Sequence, residues 1–92
     1  METRYYAAMT PTPARPILTE PSFERVLSEA DGLIVDNGGL QAFWPRKGRW
    51  GPPGPSAAGA ILGDASSTYV SEVTRDQAEQ LLAKLGPTAT LP

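Results

Sequence analysis

The sequence predicts an α+β domain: a small, mostly antiparallel sheet of three to five strands with a C-terminal helix packed on one face. Three observations carry this expectation. Short β-rich runs recur along the chain, separated by Gly, Pro and Asn turn signals. The last regular segment, TRDQAEQLLAKLG, joins a helix-capping signature to an apolar stripe at helical spacing. Finally, 92 residues at 40% hydrophobic supply one modest core, so residues 1–92 read as a single domain. Ten prolines and nine glycines add turns and stiff connectors, which favours a two-layer arrangement of short elements.

The elements follow in chain order. Thr3 to Met9 (TRYYAAM) reads as an opening strand, with Tyr5, Ala7 and Met9 on one face and Arg4, Tyr6 and Ala8 on the other. Residues 10–16 (TPTPARP) form a Pro-rich connector, because the prolines at 11, 13 and 16 deny ladder donors and favour an extended path. In TEPSFERVLSEADG, Phe23, Val26, Leu27 and Ala30 follow helical spacing. Thr19 is placed to cap, Pro21 to occupy the first turn and Gly32 to close the helix. The rival over residues 20–31 is a strand through FERVL, with Phe23, Arg25 and Leu27 on one side.

A hairpin is expected next. Leu33 to Val35 is β-rich, Asn37-Gly38-Gly39 accepts positive φ, and Leu40 to Trp44 returns. In WPRKGRW, Pro45 suits the second position of a type I turn and Gly48 the left-handed position of a bulged hairpin. That geometry would bring Trp44 and Trp50 near each other across the turn. After GPPGP, a short helix is expected from about Ser56, and a strand over Thr68 to Val73. The final helix is predicted from about Arg75 to Leu85. Thr74 and Gln77 form the T-x-x-Q box, Val73 and Ala78 the hydrophobic staple, and Ala78, Leu81, Leu82 and Leu85 the buried stripe. Gly86-Pro87 stops it, and residues 87–92 read as a frayed tail.

Composition removes several kinds of chemistry. There is no cysteine and no histidine, so thiolate nucleophiles, the commonest general base and the usual zinc ligands are missing. No disulfide framework is possible, which suits a reducing cytoplasm. The carboxylates Asp31, Asp36 and Asp64 sit beside glycines or near turns, where Asp serves local hydrogen bonding, and no two are spaced as an acid–base pair. Ser66 and Ser67 have no histidine partner, and Gly38-Gly39 is a turn rather than a phosphate loop. The chain is therefore read as a non-enzyme, with no catalytic residue, no metal site and no cofactor. It has no apolar run able to span a bilayer, so a soluble protein without membrane insertion is expected.

What remains is a surface. Arg46, Lys47 and Arg49 crowd a turn bracketed by Trp44 and Trp50, on a chain whose formal net charge is −2. Cations interleaved with aromatics can track phosphates and stack bases, but the acidic balance weighs against nucleic acid. Trp and Arg dominate protein interfaces, so Trp44, Arg46, Lys47, Arg49 and Trp50 are the candidate partner-binding residues, with Tyr6 as an addition. Arg49, Pro52 and Pro55 repeat the R-x-x-P-x-x-P spacing of groove-binding ligands, yet glycines stand at that pattern's hydrophobic positions. The run contributes stiffness.

The pieces RYYAA at 4–8, FWPRKGRWGP at 43–52 and YVSEVTRDQAEQLL at 69–82 together resemble small uncharacterised α+β proteins of actinobacteria and their phages. They cover under half of the chain. The resemblance leaves residues 10–32 unmatched and implies strand rather than helix there. It also implies a phage-type protein of the host cytoplasm that modulates or inhibits a host protein bearing an acidic patch. The alternatives are a nucleic-acid-binding accessory protein using the same basic aromatic hairpin and a minor structural phage component.

Overall fold

Among the described residues, five strands and three helices follow one another as β1 (Arg4–Met9), α1 (Phe23–Glu29), β2 (Gly32–Asp36), β3 (Leu40–Trp44), β4 (Arg49–Gly51), α2 (Pro55–Leu62), β5 (Tyr69–Val73) and α3 (Arg75–Leu85). The structure, a computed structural model, describes residues 2–63 and 68–92. The strands form one fully antiparallel sheet in the order β4-β3-β2-β1-β5. The expected α+β class, antiparallel sheet and C-terminal helix are all present. Among the described residues, no helix is long and apolar enough to cross a membrane.

The alternation of side chains along each strand sorts the apolar residues onto two faces. One face gathers Tyr5, Ala7, Met9, Leu33, Val35, Phe43 and Val73, and buries them against Val26 of α1 and Ala78, Leu81 and Leu82 of α3. The other gathers Ala8, Ile34 and Ala42 beneath Ala57 of α2, with Tyr6, Leu40, Trp44, Ile61 and Val70 packed around them. The molecule is thus three-layered, where two layers were expected. The apolar residues Ala8, Ile34 and Ala42, 0% exposed on the second face, require that extra cover.

The helices follow local signals, with three corrections in the first, one being that Pro21 precedes the cap instead of occupying the first turn. α3 has both arms of the expected box: Thr74 Oγ1 accepts from the Gln77 N–H at 3.2 Å, and Gln77 Oε1 accepts from the Thr74 N–H at 3.0 Å. Region 23–29 is helix, as the 3.6-residue spacing predicts and against the strand that the resemblance implies. Its cap is Ser22 rather than Thr19, the Ser22 hydroxyl accepting from the Arg25 N–H at 3.3 Å. Its C-cap is Ala30, and Gly32 opens β2 instead of closing the helix. Two long side chains fix α1 in place. Arg25 pairs with Glu29 at 2.9 Å and donates to the Pro16 carbonyl at 3.0 Å, while Lys84 Nζ donates to the Leu27 carbonyl near the end of α1. That carbonyl is among the last four of the helix, which lack an intrahelical partner.

Two connecting segments also differ from expectation. The connector 10–16 does not stay extended: Thr12 and Arg15 bridge across a tight turn, and Thr12 Oγ1 accepts from the Arg15 N–H at 3.0 Å. Residues 87–92 are docked rather than frayed. Ala89 and Leu91 pack on the larger core, and the Thr90 carbonyl accepts from Trp50 Nε1 at 2.8 Å.

Candidate functional site

The β3–β4 hairpin sets the geometry of the basic stretch. The Trp44 carbonyl accepts from the N–H groups of both Lys47 (2.9 Å) and Gly48 (3.1 Å), and Gly48 takes φ 65°. Pro45 and Gly48 thus hold the positions their backbone preferences suit. The loop is four residues, 45–48, and the register beyond it is regular: Trp44 faces Arg49, Phe43 faces Trp50 and Ala42 faces Gly51. The expected bulge is absent. This corrects the relation of the two tryptophans. Residues facing each other across this hairpin have unlike parity, so the even-numbered Trp44 and Trp50 point to opposite faces.

Trp50 points into the larger core, edge-on to Phe43 with ring centroids 5.7 Å apart and planes at 61°. Its indole N–H is engaged by the Thr90 carbonyl, so much of this side chain holds the tail in place. Trp44 lies half-buried on the other face, its ring against the backbone of Gly32. A Cβ at residue 32 would stand 2.5 Å from Trp44 Cζ3, so a glycine is what lets the indole lie against the strand.

That indole forms part of an open groove of about 760 Å³. The hairpin residues Trp44, Pro45, Arg46 and Lys47 line it, together with Pro52, Pro53 and Gly54 and, from the β1–α1–β2 corner, Thr10, Ala30 and Asp31. Asp31 is anchored there: its carboxylate accepts from the Thr10 N–H at 3.0 Å and its own N–H donates to the Ala8 carbonyl at 2.8 Å. Arg46, Lys47 and Arg49 are exposed. The ion pairs among the described residues are Arg25–Glu29 and Arg75–Glu79, so the hairpin cations are not neutralised by a neighbouring carboxylate there.

Of the residues singled out from the sequence, the groove unites Trp44, Arg46 and Lys47. Arg49 stands beside them as the cross-strand neighbour of Trp44. Tyr6 lies on the same side of the sheet but between Ile34 and Glu72, away from the groove. There it hydrogen-bonds Arg4, whose guanidinium is held above its ordinary pKa by that bond and by the Glu72 charge. No family model, no curated protein and no solved structure matches the chain. The site must be read from its own chemistry.

Those residues give the groove an aromatic surface, proline walls without N–H donors, and cations at the lip. Sequence reasoning missed Thr10, Asp31 and Gly32 as parts of this site. Asp36 is engaged locally, accepting from the Gly38 N–H at 3.4 Å. Asp64, Ser66 and Ser67 lie outside the described residues. Among the described residues, no three acidic, Cys or His side chains gather as metal ligands do.

Proposed function

We propose that this chain is a non-enzymatic protein-binding module that takes an acidic surface of its partner onto the β3–β4 hairpin and the groove beneath it. The observation that carries the reading is the convergence of Trp44, Arg46 and Lys47 on one open groove. The indole and the proline walls offer desolvated contact area of the kind that dominates interface energetics. Arg46, Lys47 and Arg49 supply positive potential on a molecule of net charge −2. Such local complementarity steers encounter with an acidic patch, while the remaining surface repels polyanions.

The resemblance to actinophage proteins supports a host protein as that partner, with the chain as its modulator or inhibitor in the host cytoplasm. The competing reading is an accessory protein for single-stranded nucleic acid, favoured by the same juxtaposition of indole and cations. Affinity capture from a nuclease-treated actinobacterial extract separates them, with wild type and an Arg46→Ala/Lys47→Ala/Arg49→Ala variant as parallel baits. The reading expects a protein held by wild type and lost by the variant. Identical capture by both baits, or capture that disappears on nuclease treatment, refutes it.

A further inference from the structure

Arg46 and Lys47 suit an acidic partner, yet the groove they border also holds a carboxylate that this role leaves unused. Asp31 lines the same groove as Trp44 and immediately precedes Gly32, the residue whose backbone the indole covers. Two backbone bonds fix where it sits. Asp31 Oδ2 accepts from the Thr10 N–H at 3.0 Å, and the Asp31 N–H donates to the Ala8 carbonyl at 2.8 Å. Its other oxygen, Oδ1, receives no hydrogen bond among the described residues, and neither ion pair there involves Asp31. Trp44 is half-buried, and the part of its ring not covered by Gly32 lines the groove. A fixed carboxylate oxygen near an indole offers a ligand a charge-assisted acceptor and a π surface that attracts cations.

We infer that the partner segment filling this groove carries one arginine among its acidic residues, with the guanidinium lying on Trp44 and donating to Asp31 Oδ1. The inference rests on the protein-binding reading above and adds the chemistry of its ligand. Charge sorts the ligand's groups along the groove. Its carboxylates meet Arg46 and Lys47 on the hairpin, and its cation meets Asp31 at the β1–α1–β2 corner. A wholly acidic segment would set like charge against Asp31, and a wholly basic one would do so against Arg46 and Lys47. Arginine fits this place better than lysine. Its planar, weakly hydrated guanidinium stacks on an aromatic ring while its fork of N–H donors meets a carboxylate, whereas an ammonium is compact and strongly hydrated.

The probes are acetylated, amidated peptides in which two glutamates are joined through two glycines to an arginine, made in both chain directions. Matched peptides carry citrulline, which keeps the side-chain shape and removes the charge. Binding to the full chain is read from the indole N–H resonance of Trp44. In at least one direction the arginine peptide should bind about tenfold more tightly than its citrulline counterpart. Asp31→Asn should erase that difference and leave the corner intact. The amide oxygen still accepts from the Thr10 N–H, and an NH2 group then replaces the carboxylate oxygen in the groove. Equal binding of arginine and citrulline peptides in both directions overturns the inference, as does an arginine preference that survives Asp31→Asn. If Arg46→Ala/Lys47→Ala still weakens both peptides in that case, the acidic-partner reading stands without the arginine. Conversely, an arginine preference that persists with glutamines in place of the glutamates, and that Arg46→Ala/Lys47→Ala does not weaken, supports the inference and sinks the acidic-partner reading alone. No saturable response to any peptide up to millimolar concentration overturns both.

Discussion

Replacing Gly32 with alanine tests the packing on which the groove rests. Two effects oppose each other. Gly32 sits in a strand, and its backbone is not in the left-handed region. Alanine there should therefore stabilise by roughly 0.5–1 kcal/mol, by reducing the entropy lost on folding. Against this, the new methyl would stand 2.5 Å from Trp44 Cζ3 and 3.0 Å from the Phe43 carbonyl oxygen. Ordinary contact begins near 3.4 Å, so the indole must lift by about 1 Å or the strands must part. Overpacking of this size costs about 1–3 kcal/mol. The cost should exceed the gain and leave a net loss of about 0.5–2 kcal/mol. Urea denaturation measures that loss. In a Trp50→Phe background, a red shift of the remaining emission reports that the ring has moved toward water. Unchanged stability together with unchanged emission would refute the claim that Trp44 is seated on a bare strand backbone.

Three further outcomes follow from the same structure. Leu82→Ala should cost about 2–4 kcal/mol in chemical denaturation, because a leucine 4% exposed at the α3–sheet contact leaves a cavity; a loss under about 0.5 kcal/mol would contradict its core position. Trp50→Phe keeps a ring against Phe43 but removes the bond to Thr90, so stability should fall by about 1 kcal/mol. Amide exchange across residues 87–92 should quicken in that variant, and unaltered exchange would mean the bond does not hold the tail. Removing Arg46, Lys47 and Arg49 together should shift stability by no more than about 0.5 kcal/mol, while stopped-flow measurements show slower association with the captured partner and little change in dissociation.

The elements most legible in the sequence are those whose signals are local. The box at Thr74 and Gln77, the stripe Ala78–Leu81–Leu82 and the turn at Pro45 and Gly48 involve residues within one or two turns of each other and appear as read, except that Leu85, expected to be buried with the stripe, is only half-buried at its end. Helix α1 was legible in its periodicity but not in its start. Ser22 immediately precedes the first helical residue and reaches the Arg25 N–H, whereas a helix begun at Thr19 would have to run through the residues preceding Pro21, where proline disfavours helical backbone. The relation of Trp44 to Trp50 was readable in principle from parity, once the loop is counted as four residues. The bulge assumption hid it. Docking of the tail had a faint signal in the two-residue spacing of Ala89 and Leu91.

The groove was illegible for a different reason. Thr10 and Asp31 meet the hairpin only because β1 pairs with β2 and β2 with β3 in one particular register. Nothing local marks either residue as belonging with Trp44. Gly32 reads as a helix stop from its neighbours, while its actual role is set by an indole twelve residues further on.

The most direct test of the central claim is a titration of Trp44 emission, in the Trp50→Phe protein, with single-stranded and duplex DNA at low and moderate salt. Binding through a basic hairpin that prefers protein predicts no saturable response to either DNA, even at low salt. Micromolar binding that weakens with a log–log salt slope of roughly −2 to −3, the value for about three phosphate contacts, would contradict it and assign the hairpin to nucleic acid.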